Sequence, residues 1–184
     1  MDTRTQILVI AVAVALVIVA AVLITRERNR RLLKEKFGPE YDRAVLQHGD
    51  ARRAEAVLID REKRVRKFSL QPLPPAARER YAEEWVLIQR RFVDDPAGAV
   101  TQADALVNTV LAARGYPVGN FEQRAADISV NYPGLVQNYR SARAVMLRQA
   151  ENEASTEDLR VAMVNFRSLF DELLDSPTTQ RLAS

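Results

Sequence analysis

Residues 7–24 read ILVIAVAVALVIVAAVLI, eighteen consecutive apolar residues with no charge, no Gly and no Pro. Wound as a helix at ~1.5 Å per residue, such a run covers roughly the ~30 Å hydrocarbon core of a bilayer. Beyond it the sequence changes character: apolar residues recur with helical period among charged ones, and no stretch shows sustained alternation. The expected fold is all-α. Residues 1–25 read as one transmembrane anchor, and a soluble bundle of about five to seven helices follows.

A cleaved signal peptide is the competing reading of the run. Its apolar region is usually ~7–15 residues and ends at a small-residue cleavage site. The boundary here is Ile24-Thr25-Arg26, a poor site, and Val19-Ala20-Ala21 is only a weak one inside the run. A retained anchor fits better. Basic residues set its direction. Arg4 precedes the run, whereas Arg26, Arg28, Arg30, Arg31, Lys34 and Lys36 follow it. Because Lys and Arg stay on the cytoplasmic side, the expectation is a single pass through the plasma (inner) membrane, with the N-terminus outside and the soluble domain cytoplasmic. The same six residues are a candidate membrane surface, since each contributes ~1 kcal/mol of attraction near an anionic leaflet. Their plainer role is as a topology signal. Ala11 and Ala15 form a small-xxx-small pair, a spacing that arises easily by chance in an Ala- and Val-rich run.

Charge sharpens this division. The 184 residues carry a net +3. Residues 26–36 hold six basic and two acidic groups, and therefore more than the whole excess; residues 37–184 sum to −1. The high basicity belongs to the arm beside the apolar run, and the domain is not a polycation. With the first 36 residues set aside, 148 remain, enough for one domain with a core of its own.

Along that domain the punctuation is clear. Gly38-Pro39 stops the basic helix, a short helix with Tyr41 and Val45 follows, and His48-Gly49-Asp50 breaks it, closing a connector region over residues 26–50. Asp50 is placed to cap the next helix, which the pattern carries to about Phe68. Its stripe is Ala54, Leu58, Val65 and Phe68, with Arg61 in its midst, and Arg52, Lys63, Arg66 and Lys67 gather on the opposite face. Pro72, Pro74 and Pro75 forbid a helix interior in the next stretch. Then come Ala77, Tyr81, Trp85, Ile88 and Phe92. Asp95-Pro96 opens a helix lined by Val100, Ala103, Leu106, Val107, Val110 and Leu111, which Gly115 and Pro117 close. Phe121, Ala125 and Ile128 mark a short helix. Leu135, Tyr139, Ala142, Met146 and Ala150 mark the next. Ser155-Thr156-Glu157-Asp158 resembles a capping box ahead of the most apolar stripe, Leu159 to Leu174, expected at the centre of the core. The bundle spans residues 51–175, and residues 176–184 read as a frayed tail.

The chemistry these residues allow is narrow. The chain has no Cys, which excludes thiolate catalysis, disulfides and Cys-based metal sites, and one His, which excludes a multi-His site within a single chain. His48 would have to serve any Ser-His-acid triad and sits in a turn, where a solvated residue is the ordinary explanation. The six glycines are too dispersed to cradle a phosphate. Glu83 and Glu84 diverge by ~100° on a helix, so they do not face each other, and Asp95 is already explained as a cap beside Asp94. No catalytic, cofactor-binding or metal-binding residue is assigned, no cofactor is implied, and the chain does not read as an enzyme. Arg52, Lys63, Arg66 and Lys67 can meet an anionic partner, but no docking motif or interleaved aromatic marks nucleic acid. Arg61, on an apolar stripe, needs a partner, most simply an acid from another helix. Pro72 and Pro75 have PxxP spacing, which a rigid connector explains.

Three stretches, Lys36-Phe37-Gly38-Pro39-Glu40-Tyr41-Asp42-Arg43, Arg114-Gly115-Tyr116-Pro117 and Ser155-Thr156-Glu157-Asp158-Leu159-Arg160, together with the apolar run, resemble an uncharacterised family of small bacterial membrane or secreted proteins. The resemblance extends over most of the chain. It implies a bacterial protein with an anchored helical layout and brings no activity, ligand or functional residue. The functional expectation is a membrane-tethered interaction or scaffold protein, held by membrane lipid through its span and recruiting a protein partner. The alternative is an extracytoplasmic enzyme or ligand-binding module of the cell envelope, with a cleft built by Trp85, Tyr116, Tyr132 and Tyr139.

Overall fold

The computed structural model describes residues 3–175 in backbone, and side chains from residue 11 onward. The expected tail, residues 176–184, lies outside the described residues. Among those described there are eight α-helices and no strand. The chain divides into two compact units, one ending at Leu58 and the other beginning at Ile59.

The first unit contains α1 (Thr3–Phe37), α2 (Pro39–His48) and the opening of α3 (Ala51–Val65). α1 runs unbroken through the apolar residues and the basic cluster alike. It ends where the sequence puts Gly38, whose φ of 48° and ψ of −125° are open only to glycine. Pro39 then takes the first position of α2, where its missing N–H costs nothing. Gly49, at φ 68°, closes α2 in a left-handed cap, its N–H donating to the Val45 carbonyl at 2.9 Å. The Asp50 carboxylate accepts from the Arg53 N–H at 3.4 Å, the cap expected of it. α1 packs on α2. Leu33 and Phe37, one turn apart, are buried in this unit together with Tyr41, Ala44, Ala54 and Leu58.

The second unit is built on α8 (Thr156–Asp175), which packs against α5 (Pro96–Ala113) and α7 (Val136–Ala150). α4 (Pro75–Arg91) lies on α5, and α6 (Phe121–Asn131) on α7. The expected stripe of α8 is the core: Leu159, Ala162, Met163, Phe166, Leu169, Phe170 and Leu173 are all buried. Trp85 of α4 stacks on Phe170 with ring centroids 4.6 Å apart. Asp95 caps α5 by accepting from the Gly98 N–H at 2.9 Å.

Three details differ from the periodicity. α3 ends at Val65, not Phe68. The N–H groups of Lys67 and Phe68 turn to carbonyls three residues back, and Phe68 leaves the helix axis to meet Tyr116 edge-on at 6.3 Å. α7 buries Val136 and Val145 beside the expected Tyr139 and Ala142, with Leu135 and Met146 half-buried against the same core and Ala150 exposed. Its spacings of three and four residues admit two neighbouring faces, and contact with α8 selects one. Leu73, between the exposed Pro72 and Pro74, is buried, so the proline segment is pinned down by its apolar residue.

That segment docks on the end of α5. The Gln71 N–H donates to the Arg114 carbonyl at 3.1 Å, satisfying a carbonyl the helix leaves open. Gly115 sits at φ +93°, and a Cβ there would lie 2.4 Å from the Ser69 carbonyl oxygen. The turn needs glycine twice over, for backbone angle and for space.

Candidate functional site

Two places were candidates from the sequence: the basic cluster beside the apolar run, and the basic face of α3. The structure treats the first unevenly. Arg26 and Arg28 are exposed on α1. Arg31 is exposed and pairs one turn back with Glu27 at 3.2 Å. Arg30 and Lys34 have a different occupation. The Arg30 Nε donates to the Tyr41 hydroxyl at 3.3 Å, and that hydroxyl donates to Glu55 at 2.9 Å. The Lys34 ammonium lies 5.3 Å from the centre of the Tyr41 ring. Tyr41 is almost wholly buried. Burial first, and then its bond to Glu55, raise its phenol above the usual range, so it stays neutral and remains a donor at any ordinary pH. Lys36 is half-buried.

Ahead of this cluster, the apolar side chains of residues 11–24 are uncovered on every side. Every large apolar residue in residues 12–24 is exposed, from 44% at Val22 to 68% at Val17. Among the described residues no helix is long and apolar enough to cross a membrane. Of the run itself, Ile7–Ile10 are described in backbone only, and the remaining Ala11–Ile24 rise about 20 Å.

The basic face of α3 is weaker than its sequence suggests. Lys63 pairs with Asp60 at 3.4 Å, and Arg66 with Glu62. Both pairs lie along one helix and partly neutralise it. Lys67 is exposed in the turn after the helix, and Arg52 is exposed in the first unit. Arg61 is half-buried.

A cross-helix ion pair is seen at Arg64. Its Nε and Nη2 reach one oxygen of Asp127 at 2.8 and 2.5 Å, and the Gln123 amide donates to the same oxygen at 3.1 Å. Asp127 is buried, so its charge depends on these donors. Periodicity hides both residues. Arg64 lies at the border of the α3 stripe and breaks no pattern, and α6 is enclosed on several sides, burying Asp127, Ile128, Ser129 and Val130 in succession. Asn120 caps α6 by accepting from the Gln123 N–H at 2.8 Å, a role that Asn just before an apolar period signals locally.

A second polar cluster joins α5, α6 and α7. Arg124 donates to the Tyr139 hydroxyl at 3.0 Å, Tyr139 donates to Asn108 at 3.1 Å, and Asn108 donates to Asp104 at 3.2 Å. The other Asp104 oxygen is buried with no hydrogen-bond donor. Burial outweighs the attraction of Arg143 and Arg124 and raises the Asp104 carboxyl above its ordinary range. Tyr139, wholly enclosed, is pushed up to about 12 by the same cause. Arg143 lies 5.7 Å from the Phe121 ring centre and lines a surface groove of about 420 Å³ with Thr101, Met146, Leu147 and Leu159.

The four aromatics expected to line a cleft are core residues. Trp85, Tyr116, Tyr132 and Tyr139 are each at most 9% exposed, and none lines the groove. His48 is half-buried at the end of α2, and Glu83 and Glu84 are exposed. Among the described residues no three His, Asp or Glu side chains are placed to hold a metal ion. Comparison with protein-family models, with curated proteins and with solved structures finds no match to this chain, leaving its own geometry to carry the functional reading.

Proposed function

We propose that the chain is a membrane-tethered scaffold, a helical bundle held at the inner face of a bacterial plasma membrane by α1. The observation that carries this reading is the all-round exposure of apolar side chains on α1. A helix apolar on every side is stable only where something apolar surrounds it, and water is the costliest surrounding. Counting Ile7–Ile10, the sequence supplies a run of membrane-spanning length. The basic residues after it favour a domain on the cytoplasmic side.

The scaffold half of the reading rests on the domain's surface. Leu147 in the wall of the groove, and Val161 and Val164 on α8, are between 42% and 56% exposed. Tethering raises the effective concentration of such a surface for a partner in the same membrane. Cross-linking and proximity labelling from intact membranes test it. A reproducible protein neighbour, lost when Leu147 and Val164 are both changed to Glu, is the expected result. Labelling that is unchanged by that variant, or that finds no reproducible neighbour, overturns it. A reporter fused after Ser184 that is active only outside the cytoplasm overturns the orientation.

A further inference from the structure

The six basic residues after the apolar run look equivalent in sequence, and the structure separates them. α1 is one continuous helix through Phe37, so each residue has a fixed height and direction relative to Ile24. At ~1.5 Å and ~100° per residue, Arg26 and Arg28 lie about 3 and 6 Å beyond Ile24 and point to opposite sides of the helix. Arg31 lies about 10 Å beyond it. The headgroup layer of a bilayer is ~5–8 Å deep on each side. Arg26 and Arg28 therefore reach phosphate depth if Ile24 marks the hydrocarbon boundary. Both are exposed.

Arg30 and Lys34 fall on the face that carries Leu33 and Phe37, the residues buried in the first unit. Tyr41 holds them there, through its hydroxyl and its ring, with Glu55 behind it. Both are exposed like Arg26 and Arg28, but moving Arg30 to a phosphate would take a donor from the Tyr41 hydroxyl, and moving Lys34 would take the cation from its ring.

We propose that Arg26 and Arg28 bind the phosphates of anionic phospholipids where α1 leaves the bilayer, while Arg30 and Lys34 serve the fold. This inference rests on the membrane-anchor reading above. Placement on opposite sides of the helix suits lipids packed around a rod crossing the headgroup layer. It does not suit a helix lying flat, which would present its charges on one face.

The chain contains no Cys, so Thr25→Cys offers one labelling position next to the site. The Thr25 hydroxyl bonds only to carbonyls of its own helix, those of Ala21 and Val22, so the change disturbs little. The full chain, carrying a donor fluorophore there, is reconstituted in phosphatidylcholine vesicles containing a minority of phosphatidylglycerol. Either the phosphatidylglycerol or an equal amount of phosphatidylcholine bears the acceptor. Energy transfer to the anionic lipid should exceed transfer to the neutral one at low salt, and the excess should shrink at 0.5 M salt. The Arg26→Gln/Arg28→Gln double variant should lose about fivefold of the preference, and Arg30→Gln/Lys34→Gln should keep it. Equal transfer to both lipids in the unsubstituted chain overturns the proposal, as does a loss in the second double variant matching that in the first. If the protein neither floats with vesicles nor transfers to either acceptor, the anchor reading fails and the lipid contact with it. That outcome is distinct from insertion without headgroup preference.

Discussion

α1 and α8 are both rich in apolar residues, and their side chains meet opposite fates. On α8, seven apolar residues fall on one face and are buried against α5 and α7, while Arg160, Arg167 and Asp171 face water. On α1, apolar residues occupy every direction and none of those in residues 11–24 is covered. Apolar content is similar; angular distribution differs. A one-sided stripe specifies a protein neighbour, because its polar side must remain wet. A helix with no polar side specifies an apolar medium.

The sharpest test of that contrast removes equal chemistry from each helix. Leu169→Ala, on the buried face of α8, should cost about 2–5 kcal/mol of bundle stability, and Leu16→Ala should leave the bundle's unfolding midpoint unchanged in detergent. Equal losses would mean that α1 is packed against protein after all. Next in size is the end of α8. The buried Arg114 donates to the Leu173 carbonyl at 2.7 Å, close to the helix C-terminus. Arg114→Ala leaves that carbonyl without this donor and should cost about 1–3 kcal/mol by chemical denaturation.

The start of α8 gives a smaller, pH-dependent effect. Ser155 and Asp158 cap the helix reciprocally: the Asp158 N–H donates to the Ser155 hydroxyl at 3.1 Å, and the Ser155 N–H and hydroxyl donate to the Asp158 carboxylate at 2.9 and 2.8 Å. Ser155→Ala should cost about 1 kcal/mol. The Ser155 N–H and hydroxyl, and then Arg148, lower the Asp158 carboxyl to about 2. Its contribution is therefore complete above the ordinary Asp range near 4 and is lost as pH falls toward 2. Asp158→Asn should remove that acid-side slope, and a slope that persists would assign it to other carboxylates. Smallest is Asp104, whose raised carboxyl has the reverse sign. Its charge opposes folding once pH exceeds the unfolded value, so Asp104→Asn should raise the melting temperature at pH 7. The gain should vanish below the carboxylate range.

The same contrast explains what the sequence discloses. Where a residue acts through period or local hydrogen bonding, it is legible. The α8 stripe, Asp95 and the Ser155–Asp158 box all depend on neighbours three or four residues away. The polar interior is not legible. Arg64 reaches Asp127 from 63 positions away, and Arg114 reaches Leu173 from 59. No local pattern encodes such a partner. The basic cluster is intermediate: its charge is obvious in the chain, but its division depends on Tyr41 returning beside α1 after the Gly38 turn. The aromatics misled for a related reason. A tyrosine reads as a polar wall for a ligand, yet Tyr139 is buried because Asn108 and Arg124 satisfy its hydroxyl inside.

The proposed function requires α1 to lie in lipid, and alkaline carbonate extraction of membranes carrying the full chain tests that most directly. Peripheral proteins are released under these conditions and spanning ones are retained. The account predicts that the chain stays with the membrane pellet and floats with lipid in a density gradient. Recovery of the intact chain in the carbonate supernatant, with none floating, would contradict it.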